Sequence, residues 1–275
     1  ILNQIGQLAS IAIQNAQLFS QVQKARKESE AQKQRMENEL EIARKVQLAL
    51  LPQEYPTLKG WSFSALWKPA REVAGDYYDF ISRHDGCVDL IIADVTDKGA
   101  PAALFMAHNK GMLRKSLENT DSLLEGVTNA NRVMIEEKVG PFVTSFFARI
   151  DPRNGDITYV NAGHDPPLWL KKGSDQILQL SPTGLPLGVD LDFEYHQKTI
   201  QLGKGDLLIL YTDGVIDAVD HQDNLYGQTR LLKAVLGNRH QDAEEMAQIL
   251  LGNVESFIGQ TSASDDIAIV VVQRH

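Results

Sequence analysis

Four places in this 275-residue chain set an aspartate against an apolar run. Asp76 follows Gly75 in "VAGDYYDF" and enters a strand-like stretch. Asp94 closes "VDLIIAD" and precedes "VTDKG", Asp213 closes "LLILYTDG", and the pair Asp265 and Asp266 opens "DDIAIVVV". A buried strand fixes its own backbone, so a carboxylate at its end can be held rigidly at a sheet edge. Several carboxylates brought together repel one another unless a cation neutralises them. Hard divalent ions, Mg²⁺ or Mn²⁺, take oxygen ligands and suit such a set. Soft-metal spacing is missing: there is one cysteine, and the seven histidines are scattered. Asp is equally a turn former, so any one of these acids alone reads as turn chemistry. The four together bring the metal reading level with it.

These acids need elements to position them. From Trp61 onward the sequence breaks into short apolar runs bounded by Gly, Pro, Asp or Asn: "WSFSALW", "VDLIIADV", "TSFFARID", "DITYVNAG", "PLWLKK", "FEYHQKTIQL", "DLLILYTDG" and "DIAIVVVQ". Tyr77 and Tyr78 read as strand residues with one face in the core. Helical patterns fall at about 100–118, 121–138, 228–237 and 242–258. Strand groups punctuated by paired helices predict an α+β sandwich, sheets inside and helices outside. Strict strand–helix alternation is absent, which argues against a doubly wound nucleotide-binding fold.

Ahead of this lies a different segment. Residues 1–51 hold no proline and one glycine, and prolines follow at 52 and 56, so a long helix ending near Leu51 is expected. Alternating steps of four and three from Ile1 run through Ile5, Leu8, Ala12, Phe19, Val22, Met36, Leu40, Ala43, Gln47 and Leu50. Ten of the fifteen positions on that seam are apolar, with a polar interruption at Arg26, Ser29 and Lys33. Such a repeat favours a left-handed coiled coil over a helix packed on its own domain. It predicts a parallel homodimer linker whose polar middle allows two registers.

Net charge is −9, split as +2 over residues 1–52 and −11 over 53–275. The larger part is a poor nucleic-acid binder by its field. Cys87 is alone and cannot form an internal disulfide, which fits a reduced, cytosolic setting. No apolar run approaches the ~20 residues of a membrane span, and no signal peptide is recognisable. The chain opens on Ile1, not Met, and is expected to be cut from a longer protein.

The ordered stretches "PAREVAGDYYDF", "IIADVTDKGAPAALFMA", "FVTSFFARIDPRNGDITYVNAGHDPPLWL", "GLPLGV", "LLILYTDGVIDAVDHQDNLYG" and "SDDIAIVVV" fall in one order within residues 68–272. In this order they resemble the PPM (type 2C) metal-dependent serine/threonine phosphatases, and more narrowly their bacterial SpoIIE/RsbU-like branch. The resemblance implies two packed antiparallel sheets flanked by helices, with two Mn²⁺ or Mg²⁺ ions at one edge. Asp94 would bridge both ions, the Val95 carbonyl would join one, and Asp213 and Asp265 would hold the other. Asp76 would contact metal directly or through water, and Asp266 competes with Asp265 for its role. It also implies hydrolysis without a protein nucleophile, by a water polarised between the ions, with an acid protonating the leaving seryl or threonyl oxygen. Eukaryotic relatives place a histidine shortly after the bridging aspartate. Here Thr96, Asp97 and Lys98 follow, so that role does not carry over. Arg71, five residues before Asp76, matches an arginine that grips phosphate in many members; a solvated loop arginine is an equally good reading. Lys98 is a similar candidate. His164 in "NAGHDPP" reads as part of a turn rather than a catalyst, and "GLPLGV" as a backbone-shaping loop.

Residues 5–19, "IGQLASIAIQNAQLF", resemble the closing helix of a GAF-type sensor, and "ELEIARKVQLALLP" the helix ahead of a phosphatase core of this branch. The expected organisation is residues 1–22 as the end of a sensor domain, 23–52 as a coiled-coil signalling linker, and 53–275 as the phosphatase. The expected substrate is a phosphorylated STAS-type anti-sigma-factor antagonist in a partner-switching pathway. A register change in the linker dimer would reposition the helices after Asp94. Two other readings compete: a catalytically silent dimeric signalling module, which would need no metal, and a hydrolase of small phosphomonoesters using the same ions.

Overall fold

The computed structural model describes residues 2–96, 99–138, 140–261 and 263–275. Ile1 of the seam, and Asp97 and Lys98 of "VTDKG", lie outside the described residues. The chain divides into two bodies, residues 1–45 and 46–275.

The first body is helix alone. Helix α1 runs Leu2–Leu50, and its last turn, from Val46, belongs to the second body. Four i,i+4 ion pairs line it, Lys24–Glu28, Arg26–Glu30, Lys33–Glu37 and Glu41–Lys45. Each is exposed and screened by solvent, so each contributes little to stability. The seam residues Phe19, Val22 and Met36 are all more than half exposed.

The second body is a sandwich of two five-stranded antiparallel sheets. The first sheet has the order β1 (Trp61–Lys68), β10 (Ile267–Arg274), β9 (Leu207–Tyr211), β6 (Leu168–Leu170), β7 (Ile177–Gln179). The second has the order β2 (Tyr77–Ser82), β3 (Val88–Val95), β4 (Val143–Ile150), β5 (Asp156–Ala162), β8 (Lys198–Gln201). Strand alternation decides what lies between the sheets. On β10, Ala268, Val270 and Val272 enter the core shared with the second sheet, while Ile267, Ile269 and Val271 face the outer helices. On β9, Leu208 and Leu210 point inward, and Leu207, Ile209 and Tyr211 outward. Strands buried on both faces explain the unbroken apolar runs read in the sequence.

Helices α2 (Ala100–Glu118) and α3 (Leu123–Glu137) pack on the second sheet, and α4 (Gly227–Gly237) and α5 (Ala243–Ile258) on the first. Ser122 caps α3 through Glu125 N, and Asp242 with Glu245 forms a capping box on α5. Helix α2 is pinned by charge as well as by apolar contact. Its Lys110 Nζ lies 2.6 Å from buried Asp79 on β2, and Arg114 donates two bonds of 2.9 Å to the same carboxylate. One expectation needs correcting, and one strand was missed. "FEYHQKTIQL" is a strand only over Lys198–Gln201, because the half of it before the strand carries Tyr195 into the core under the Gly184 loop. The three-residue β7, mostly exposed at a sheet edge, had no apolar signature to find.

Candidate active site

Both sheets deliver their acids to one end of the sandwich. In the second sheet, Tyr77 pairs with Ala93, so the next step places Asp76 opposite Asp94. In the first sheet, Ile269 pairs with Tyr211, and Thr212 and Ala268 exchange backbone and hydroxyl bonds of 2.9–3.0 Å. Asp213 and the Asp265–Asp266 pair therefore leave adjacent strands at the same edge. Asp213 starts a short 3-10 turn, Asp213–Val215.

Two glycines make the approach possible. A Cβ on Gly75 would stand 2.9 Å from the Val95 carbonyl oxygen, and a Cβ on Gly214 would overlap the carbonyl oxygen of Asp266. The "AGD" and "TDG" patterns are thus the points where a loop lies directly on a neighbouring backbone.

The loop from 69 to 76 is held from several sides. Both Asp266 carboxylate oxygens accept from it, Oδ1 from Ala70 N at 2.7 Å and Oδ2 from Gly75 N at 2.8 Å. Trp67 Nε1 donates to the Asp76 carbonyl at 2.8 Å. Gln47, from the last turn of α1, exchanges two bonds with Ala74. Asp265 is half-buried, and its Oδ1 accepts from Asp266 N. The two neighbours differ in their contacts: Asp266 binds the loop's backbone with both oxygens while its charge bears on Asp76 and Asp94, and the charge of Asp265 bears on Asp94 and Asp213.

The electrostatics are those of crowded acids. Burial, then the Asp94 and Asp266 charges, hold the Asp76 carboxyl well above the usual carboxylate range. Burial first, with the charges of Asp265, Asp266 and Asp165, pushes Asp94 up to about 6. Burial, then Asp94 and Asp265, pushes Asp213 up to about 7. Each shift marks a carboxylate for which a cation would be welcome. Asp76 Oδ2 is buried and accepts no hydrogen bond among the described residues, while the carboxyl group as a whole lies within hydrogen-bond reach of the Thr212 and Asp94 side chains. A bare buried carboxylate oxygen facing further carboxylates fits a hard divalent cation with oxygen ligands. No group of three or more His, Cys, Asp or Glu among the described residues is arranged as a metal-holding cluster.

Two residues of this corner were not singled out in the sequence. Asp165, half-buried, is itself raised by burial and by Asp217, and both acids bear on Asp213. "GHDPP" read only as turn chemistry, and Asp217 had no strand to mark it. His164 fits its structural reading. Burial lowers it to about 4, its N–H bonds Asn161 Oδ1, and its Nδ1 meets the hydroxyl of Thr144, the residue paired with Asp94. "GLPLGV" shapes backbone as expected: Leu187 pairs with Val143 at the start of β4, and Gly188 N donates to Asn131. Arg71 is exposed on the loop that carries Asp76.

Comparison with known proteins agrees with this geometry. Residues 84–275 match the family described as Stage II sporulation protein E (SpoIIE), a span that begins just after Asp76. Protein IcfG of Synechocystis is 31% identical over 267 residues, 86% of this chain and 41% of that protein. The phosphoserine phosphatase RsbU of Bacillus subtilis is 30% identical over 237 residues, 86% of this chain and 70% of that protein. Among solved structures, the SiaA PP2C domain of Pseudomonas aeruginosa superposes with a TM-score of 0.76 at 21% identity. It covers 88% of this chain and 98% of its own. The chain therefore spans less than half of IcfG and about two thirds of RsbU. No helix among the described residues is long and apolar enough to cross a membrane. Two antiparallel sheets flanked by helices, acids gathered at one edge, and these matches together place the chain in the SpoIIE family of PPM-type, PP2C-like phosphatases.

Proposed function

We propose that this chain is a metal-dependent phosphatase of phosphoserine and phosphothreonine in proteins, with Asp76, Asp94, Asp213 and Asp265 and the Val95 carbonyl holding two Mn²⁺ or Mg²⁺ ions. The observation that carries the reading is the meeting of acids from both sheets around a buried, bare Asp76 oxygen. Divalent cations bound there would lower the pKa of a water and offset charge on the phosphoryl group. Asp94, central in the set, bears on both sheets' acids and is the residue to bridge. Asp76 sits behind it, shielded from solvent. Asp265 takes the ligand role, because both oxygens of Asp266 already accept backbone N–H groups. Arg71, exposed on the loop that carries Asp76, is the candidate to meet phosphate oxygens, with Lys98, outside the described residues, as the second candidate from the sequence.

RsbU's name supports a phosphoserine substrate, and the chain's affinity with that branch supports a phosphorylated STAS-type anti-sigma-factor antagonist. The exposed apolar seam of α1 supports a parallel homodimer, with residues 1–22 closing a GAF-like sensor, 23–52 relaying its state and 53–275 acting on the substrate. The test is phosphate release from a phosphorylated STAS protein and from small phosphoesters, with Mn²⁺ and Mg²⁺ titrated. A steep divalent requirement, preference for the phosphoprotein, and loss of activity in Asp94→Ala and in excess chelator are expected. Full activity in Asp94→Ala would sink the mechanism. Deleting residues 1–45 should give monomers with altered turnover; an unchanged oligomer and rate would remove the linker's role.

A further inference from the structure

Gln47 occupies a seam position of α1, yet its side chain is turned into the second body and is 3% exposed. Its Nε2 donates to the Ala74 carbonyl at 2.7 Å, and its Oε1 accepts from Ala74 N at 3.1 Å. An amide side chain has the donor and acceptor needed to pair with the backbone N–H and C=O of one residue as a neighbouring strand would, and among the helix-forming residues only Gln reaches this far with both. Ala74 is fully buried and sits two residues from Asp76, separated only by Gly75, which lies against Val95. On its other side the loop is fixed by Asp266 through Ala70 and Gly75.

We propose that Gln47 is a positioning residue for the metal-holding carboxylates: its paired bonds fix the backbone on both sides of the Ala74 Cα and thereby the place of Asp76 opposite Asp94. The inference rests on the reading of those acids as a divalent-metal site. Without the clamp, the loop retains the Asp266 bonds but loses its hold from the helix side. Asp76 is then free to shift under the repulsion of Asp94, which a cation must overcome before both can ligate. The loss falls on metal affinity, in the way that partners behind metal ligands commonly cost about 10-fold or more when removed.

The experiment uses the whole chain with Gln47→Met, which keeps the volume and removes both bonds, and Gln47→Glu, which keeps the acceptor and removes the donor. Mn²⁺ binding is followed by calorimetry, phosphate release is measured across the same titration, and near-UV circular dichroism reports the fold. For Gln47→Met the half-saturating Mn²⁺ concentration should rise about 10-fold, with turnover at saturating Mn²⁺ close to that of the unaltered chain. Gln47→Glu should shift in the same direction. A merely structural role would lower turnover at every Mn²⁺ concentration without moving half-saturation, and that result would overturn the inference. Loss of folding in both variants would overturn it too, since Gln47 would then serve the core. Asp94→Ala separates the two readings. If it abolishes Mn²⁺ binding while the Gln47 variants titrate normally, the clamp alone fails. If it binds Mn²⁺ unchanged, the site reading fails and the clamp falls with it.

Discussion

Asp265 and Asp266 are adjacent acids of one motif, and their substitutions should have opposite signatures. In Asp266→Asn the two oxygens that receive Ala70 N and Gly75 N become one oxygen and one amide nitrogen. One buried N–H then faces a donor. A hydrogen bond to a charged acceptor contributes roughly 1.5–3 kcal/mol, and an orphaned buried donor costs roughly 1–3. These overlap, and relief of repulsion with Asp76 offsets part of the loss, so a net destabilisation of about 2–3 kcal/mol is expected. For a body of this size that corresponds to a fall in Tm of about 5–10 °C. Asp265→Asn keeps an oxygen for Asp266 N and removes one of several repelling charges. Its metal-free Tm should fall less than that of Asp266→Asn, while its Mn²⁺ affinity collapses. Thermal melts in chelator, paired with Mn²⁺ calorimetry, read both quantities. A stable Asp266→Asn beside a destabilised Asp265→Asn would refute the assignment of loop-holder and ligand.

Further expectations follow from the same geometry. Gly214→Ala forces a Cβ into the Asp266 carbonyl and should cost about 2 kcal/mol or more with loss of metal binding; unchanged melting and Mn²⁺ titration would contradict the close approach. Asp79→Ala leaves buried Lys110 without its counter-charge and should destabilise by about 3–5 kcal/mol in urea unfolding. A loss under 1 kcal/mol would mean the pair does not anchor α2. In chelator, the acids at the site have folded pKa values above the unfolded 3.8, Asp94 at about 6 and Asp213 at about 7, so the folded state binds more protons over that interval. Stability of the metal-free protein should therefore fall as pH rises from about 4 to about 7, and Asp213→Asn should flatten the fall. The size is at most a few kcal/mol, reduced by the partial solvent access of both groups. Melts that rise steadily over that range would reject it.

Much of this was legible before any coordinates. The apolar runs carrying Asp94 and Asp213 are strands buried on both faces, and such runs declare both the strand and its end. The four helices after the linker fell within a few residues of their observed spans, because α3 and α5 carry capping residues that mark a start. Pairing in space was not legible. That Tyr77 meets Ala93, and Tyr211 meets Ile269, depends on register across loops of very different length. The proposed choice of Asp265 over Asp266 rests on Asp266 meeting Ala70 and Gly75, some 190 residues away. Gln47 was hidden for a related reason: a seam count treats each polar position as an interruption and cannot see that one of them has turned to hold a peptide.

The arrangement also explains why so much backbone is fixed around so few side chains. Acids raised to about 6 and 7 cost the metal-free fold stability, and repulsion pushes each of them outward. A loop free to yield would relax that repulsion by moving Asp76 away, and the site would dissolve. Here the loop before β2 is bonded by Asp266 to the first sheet, by Trp67 to β1, and by Gln47 to the end of α1, with Gly75 pressed on Val95. The first three of these contacts are hydrogen bonds to backbone, and all leave the Asp76 Oδ2 free of protein donors. A loop built for turn chemistry alone would spend its own carboxylate on its own amides, as Asp220 does with Gln222 N and Asn224 N in the exposed turn after β9. Asp76 does the reverse. Its loop is held by others, which under the proposed reading leaves its oxygen to a cation.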